Sequence, residues 1–118
     1  MDVRARRATA ILYADDAMAS ASWYGKLGFE IEYTHRFDHH SPLFVGLVSE
    51  DAGIMLSEHR GDAVPNGLVY VSVDDLDAAA AAVGVVAEDR EWGIREAHAV
   101  DPGGNRVRIA QHEEPASR

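Results

Sequence analysis

The chain says the same thing twice. Residues 9–25, Thr-Ala-Ile-Leu-Tyr-Ala-Asp-Asp-Ala-Met-Ala-Ser-Ala-Ser-Trp-Tyr-Gly, read as a short strand, an Asp-Asp pair and a helical stretch that reaches a glycine. Residues 68–84, Leu-Val-Tyr-Val-Ser-Val-Asp-Asp-Leu-Asp-Ala-Ala-Ala-Ala-Ala-Val-Gly, read the same way. Asp15-Asp16 maps onto Asp74-Asp75 and Gly25 onto Gly84, both at a spacing of 59, half of the 118 residues. A duplicated strand–helix unit in so short a chain points to two similar modules within a single domain, with a site enclosed between them.

Composition removes several function classes. There is no cysteine, which excludes disulfides, thiolate catalysis and cysteine-bound metals. Twenty acidic against eleven basic residues give a net charge of −9, which argues against nucleic acid as a partner. That charge either keeps the protein soluble or draws a cationic ligand toward an acidic cleft. No apolar run approaches the roughly 20 residues of a membrane span. The basic start Met-Asp-Val-Arg-Ala-Arg-Arg is not followed by an apolar signal core, and residence in the cytoplasm is expected.

The first module, about residues 7–60, is expected to open with a strand near Ala8–Tyr13, after which Asp15 or Asp16 caps a helix. Met18, Ala21, Trp23, Tyr24 and Leu27 give that helix a buried face, and Gly28 is a left-handed stop. Trp23 reads as core packing. Phe29, Ile31 and Tyr33 alternate with polar residues as a half-buried strand does. Leu43–Ser49 and Gly53–Glu58 form a hairpin about Glu50-Asp51-Ala52-Gly53. Arg60–Gly67 is a linker. The second module, about residues 67–112, reads as a strand at Leu68–Val73, a helix around Leu76–Val83, a short strand near Val85–Ala87, and strands at Ile94–Val100 and Asn105–Gln111 about the turn Asp101-Pro102-Gly103-Gly104. The tail from Glu113 to Arg118 is expected to fray. The fold class is α+β, two tandem βαβββ modules.

Three stretches carry a family resemblance: Ala21-Ser22-Trp23-Tyr24-Gly25-Lys26-Leu27-Gly28-Phe29, Met55-Leu56-Ser57-Glu58-His59-Arg60-Gly61-Asp62, and Glu91-Trp92-Gly93-Ile94-Arg95-Glu96 running into Asp101-Pro102-Gly103-Gly104-Asn105-Arg106-Val107-Arg108. The chain resembles the vicinal oxygen chelate superfamily, in its glyoxalase/bleomycin resistance branch. The resemblance implies paired βαβββ modules forming a cupped mixed sheet, assembled as a homodimer with ligand sites in the concavities.

Enzymes of that superfamily hold a divalent metal with four side chains, one from the first and one from the last strand of each module. Matching the motifs puts these positions at Thr9, Leu56, Leu68 and Arg108. None is a usual ligand, since apolar and cationic groups do not chelate. The expectation is therefore a protein with no cofactor. A displaced metal site from His35, Glu58 and His59 is the fallback, against which His39-His40 read as a solvated loop before Pro42 and His59 as the surface end of a strand. His98 alternates along a strand, and His112 lies near the expected frayed end.

Without a chelate, the resemblance implies a ligand-binding protein of the bleomycin resistance type. It would sequester an aromatic, cationic, antibiotic-like molecule in a dimer-interface cleft. Trp92 is the expected stacking platform, a cation over an indole being worth ~0.5–2 kcal/mol; the alternative is an edge-packed tryptophan that fixes its hairpin. Phe37, Phe44 and Tyr33 would supply the opposite wall and Leu56 an apolar floor. Val107 and Ile109 should face the helices, which turns Arg106 and Arg108 into the cup. Arg108 then meets either an anionic ligand group or an internal carboxylate such as Glu58 or Glu96. The rival is an enzyme, a metal-dependent glyoxalase-like lyase or dioxygenase relative. A third reading is an accessory protein with no small ligand.

Overall fold

Asp16 and Asp75 hold the same place in the repeat and do the same job. In the computed structural model, which describes residues 2–113, each sits in extended backbone and caps the helix that follows. Asp16 Oδ1 accepts from Ala19 N–H and Asp75 Oδ1 from Ala78 N–H, both at 3.1 Å. Each carboxylate thereby satisfies an N–H that the first helical turn leaves without a partner. The helices are α1 (Ala17–Gly25) and α2 (Leu76–Ala82). They also close alike. Phe29 N–H donates to the Tyr24 carbonyl and Val85 N–H to the Ala80 carbonyl, around left-handed Gly28 (φ +96°) and Gly84 (φ +77°). Gly84 therefore corresponds to Gly28 rather than to Gly25, because α1 has nine residues and α2 seven. The spacing of the repeat shortens after the helices.

The strands of the first module are β1 (Thr9–Tyr13), β2 (Glu30–His35), β3 (Phe44–Ser49) and β4 (Ala52–Ser57), those of the second β5 (Leu68–Val73), β6 (Glu88–Asp89), β7 (Arg95–Val100) and β8 (Arg106–Gln111). They make two four-stranded mixed sheets, ordered β1-β4-β3-β2 and β5-β8-β7-β6. The β1/β4 and β5/β8 pairs are parallel, and the rest antiparallel. The fold is the α+β pair of βαβββ modules. The short sixth strand lies at Glu88–Asp89, beyond the expected Val85–Ala87, because the Val85 amide is spent in closing α2. The expected fraying of 114–118 lies outside the described residues.

Alternation sorts each strand into two faces. Leu12, Val45, Leu47, Ile54 and Leu56 turn toward the helix side, as do Val71, Ala97, Val107 and Ile109 in the second module, and all are buried in one apolar cluster with Ala21, Tyr24, Leu76 and Ala80. Trp23 packs against it, edge-on to Tyr24 with centroids 4.9 Å apart. Each large aliphatic side chain buried there contributes roughly 1.5–3 kcal/mol.

The Asp101–Asn105 segment is more than a turn. Asn105 Nδ2 donates to the Tyr13 carbonyl at 2.8 Å, its Oδ1 accepts from Gly67 N–H at 2.9 Å, and Asp101 accepts from the Tyr24 hydroxyl at 2.7 Å. Burial, then the bond to Asp101, pushes the Tyr24 phenol up. This buried polar cluster fastens the second module to the first.

The opposite face of each sheet stands open. Ile11, Tyr33, Leu68, Tyr70 and Trp92 are 46%, 43%, 48%, 50% and 51% exposed. Ile31 and Tyr33 are less covered than alternation predicts, because β2 is an edge strand whose register shifts between them. The radius of gyration, 15.4 Å, exceeds the about 13.5 Å of a compact chain of this length. No helix among the described residues is long and apolar enough to cross a membrane.

Candidate ligand-binding cup

In the second module Leu68 pairs with Arg106, and Tyr70 with Arg108, which also pairs with His98 across the next strand. Because Val107 and Ile109 are buried on the helix side, Arg106 and Arg108 emerge on the open face. The Arg108 guanidinium lies 5.4 Å from the Trp92 ring centre and 5.6 Å from that of Tyr70. Beneath it, Arg108 Nε and Nη2 donate to the Glu96 carboxylate at 3.1–3.2 Å. His98 Nε2 lies 2.9 Å from Glu96 Oε1.

Glu96 is 1% exposed, and an unpaired carboxylate at that depth would be strongly destabilising. Burial pushes its pKa up, but the hydrogen bonds from His98 and Arg108, with their charges, outweigh burial and hold it below the ordinary glutamate range. Of the two expectations for Arg108, the structure places the internal carboxylate, Glu96, against it. Trp92 is set by a tight turn in which Arg90 N–H donates to the Ile94 carbonyl and Gly93 takes φ +86°. One side of its ring is already occupied by the guanidinium. Leu68, Trp92, His98, Val100, Arg106 and Arg108 line a cavity of about 280 Å³.

The first module offers a different surface. Ile11 pairs with Met55, and Met55 with Gly46, which in turn pairs with Tyr33. The Tyr33 ring lies across Gly46, where a Cβ would fall 2.1 Å from its Cε1, and its hydroxyl reaches Met55 Sδ at 3.4 Å. Phe44 is half-buried, with His35 tilted against it at 6.2 Å. Phe37, 88% exposed, stands on the following loop, where Asp38 accepts from His40 N–H and the Ser41 hydroxyl. At the end of β1 the Arg60 guanidinium lies 4.8 Å from the Tyr13 ring centre, and the Tyr13 hydroxyl donates to Asp15 at 2.7 Å.

Two site expectations need correction. Leu56 is not the cup floor: it is fully buried on the helix side, and Met55 holds the cup position. A one-residue slip in a strand exchanges its faces. The same slip applies to the matched metal positions, whose first-module member on β4 becomes Met55, the counterpart of Arg108. Nor do His35, Glu58 and His59 assemble. Glu58 Oε2 accepts from Ala17 N–H at 2.9 Å and Oε1 from Leu43 N–H at 3.2 Å, so its carboxylate caps α1. Gln111 does the equivalent in the second module, accepting from Leu76 N–H at 2.9 Å and donating to the Asp74 carbonyl. Among the described residues no three His, Asp or Glu side chains lie close enough to hold a metal ion.

Sequence reasoning missed Tyr70 and Met55, although each follows from a neighbour. Tyr70 alternates with Leu68, and Met55 is adjacent to Leu56. A larger groove, of about 1020 Å³, runs between β1 and β5 past α2, but Trp92, Arg108 and Tyr33 do not line it.

The comparisons agree with this architecture. The family model described as glyoxalase superfamily protein matches residues 2–115. A bleomycin-binding protein solved with bleomycin shares 24% identity over 91% of this chain and 98% of its own, with a TM-score of 0.65. The antibiotic binding protein TnmS3 from a Streptomyces species shares 18% over 96% and 100%, with a TM-score of 0.71. The lactoylglutathione lyase of Agrobacterium tumefaciens shares 19% over 87% and 90%, with a TM-score of 0.69. No curated protein matches the sequence. These structural likenesses establish a fold shared by binders and lyases alike, and the family match across residues 2–115 places the chain in the glyoxalase superfamily.

Proposed function

We propose that this protein is a metal-independent binding protein of the bleomycin resistance type, which sequesters an aromatic, antibiotic-like small molecule in a cleft completed by a second copy of the chain. One observation carries the reading. The cup positions where a chelating relative would place its ligands hold Thr9, Met55, Leu68 and Arg108, and Arg108 is engaged with Glu96 between two half-exposed aromatic rings. Such a surface offers stacking area and a few fixed polar groups, the usual makeup of a small-molecule site. Sequestration needs affinity and no chemistry, so no nucleophile or general base has to be found.

The second copy follows from the open faces. Each chain leaves both half-cups uncovered, and a two-fold pairing of module one on module two closes two cups at once. Bleomycin and other antibiotics are the molecules the similar binding proteins hold, and they are the first probes to try here. Calorimetric titration of the full chain with metal-free bleomycin and a panel of aromatic antibiotics tests the reading, with Trp92→Ala alongside. Saturable binding of at least one compound, weakened in the variant, is expected. No binding by any of them would sink it.

A further inference from the structure

The charge of the whole molecule and that of the second module's half-cup, where Arg90, Arg106 and Arg108 outnumber Glu88 and Glu96, have opposite signs. A net charge of −9 draws cations from a distance. Much of that charge lies off the cup, in Asp74, Asp75 and Asp77 around the start of α2 and in Glu50-Asp51 between β3 and β4. On the second module's open face Glu96 and Glu88 are already engaged. Glu96 is held by Arg108 and His98, and Glu88, at the far edge, lies 3.3 Å from Arg90. Arg106 remains. It is exposed, lines the same cavity as Trp92 and Arg108, and among the described residues has no ion-pair partner. Arg108 also keeps Nη1 free, since only Nε and Nη2 are used on Glu96. A cationic ligand over Trp92 would meet a guanidinium already seated there.

We propose that this half-cup is a subsite for a planar aromatic carboxylate, its ring against the side of Trp92 that Arg108 leaves open and its carboxylate on Arg106 and the free edge of Arg108. Guanidinium groups suit the task, because their planar donor sets match a carboxylate and remain charged at any physiological pH. The assignment rests on reading the cup as a small-molecule site and adds the sign of the ligand's charge. It also gives Arg106 a purpose that pairing within the chain does not.

Three probes of one shape and different charge separate the two readings: naphthalene-2-carboxylate, the neutral 2-naphthylmethanol and the cationic 2-naphthylmethylammonium. Each is titrated calorimetrically into the full chain at low ionic strength, and into the Arg106→Gln and Arg4→Gln variants. The carboxylate is expected to bind about tenfold more tightly than the alcohol, the worth of one charge-assisted hydrogen bond, and the ammonium most weakly. Arg106→Gln should remove most of that tenfold preference and leave the alcohol unchanged. Arg4→Gln, which makes the same charge change outside the cup, should alter neither. If the ammonium binds as well as the carboxylate, or if the preference survives Arg106→Gln, the subsite is overturned while the cup stands. If none of the three binds, the subsite is overturned, and the antibiotic titration decides the cup separately.

Discussion

The two modules turn the same face of the same sheet outward, yet they present different chemistry there. In module one the centre of the face is apolar, with Ile11, Met55 and a Tyr33 ring laid over Gly46, and its charges are the part-exposed Arg7–Glu32 pair, at 2.8 Å, between the start of β1 and β2. In module two the corresponding positions carry Tyr70 and Arg108, over a buried Glu96 that also touches His98. Met55 and Arg108 are repeat counterparts, one a soft apolar contact and the other a fixed charge. What stayed alike is the framework, with the caps Asp16 and Asp75, the closures at Gly28 and Gly84, and the cap acceptors Glu58 and Gln111. The backbone devices of the repeat survive where folding needs them, and the side chains diverge on the open face. On this account module one supplies area and module two supplies selectivity.

The largest effect is expected where the halves are joined. A Cβ at Gly103 would lie 2.7 Å from the Tyr13 carbonyl oxygen, and backbone cannot step aside as a side chain can. Gly103→Ala should cost roughly 2–3 kcal/mol in chemical denaturation. Gly46→Ala is the contrasting case, because its clash is with the half-exposed Tyr33 ring, which can swing away. A stability loss below about 1 kcal/mol is expected there, with weaker ligand binding from the displaced wall. Equal losses in the two variants would contradict this distinction between framework and cup.

Next comes the ion pair on a buried carboxylate, Arg108–Glu96, where module one's Arg7–Glu32 pair is part-exposed on both sides. Arg108→Met should destabilise by about 2 kcal/mol, less than for a fully buried pair because the Arg108 side chain is 34% exposed. The sign of its pH dependence follows from Glu96. Its folded pKa is depressed, so its contribution is present above the ordinary glutamate range and is lost as pH falls through the folded value. The variant's deficit should therefore be largest near neutral pH and shrink in acid. Urea titrations across that range would show it, and a deficit that grew on acidification would break the comparison.

Glu58 tests the framework side. Glu58→Ala strands the Ala17 and Leu43 amides and should cost about 1–2 kcal/mol, whereas Glu58→Gln keeps an acceptor for one of the two amides and should cost about half as much. Smallest in stability is Trp92→Ala, within about 0.5 kcal/mol for a half-exposed ring, yet about tenfold or more in binding. A tryptophan that merely fixed its hairpin would show the reverse.

Much of this was legible in the sequence. The duplicated strand–helix unit, the capping aspartates and the outward turn of Arg106 and Arg108 opposite Val107 and Ile109 are all properties of local pattern. The rest depends on contacts between distant segments. Leu56 was one residue out of register because a strand flanked by Met55 and Ser57 carries no period strong enough to settle its faces. Gly25 stood in for Gly28 because helix length is fixed by packing rather than by the glycines themselves. Glu58 resembled a metal ligand because a carboxylate at a strand end fits either role until the N-terminus of α1 is brought against it. Asp101–Asn105 read as a turn because its buried bonds to Tyr24 and Tyr13 cross from one module to the other.

At the centre of the account is the claim that the duplication kept the cup and replaced the chelate. Elemental analysis of protein purified without a histidine tag tests it most directly. Zinc, nickel, manganese and iron all well below one ion per chain is the predicted result. A stoichiometric ion that survives dialysis, and whose removal abolishes ligand binding, would contradict it.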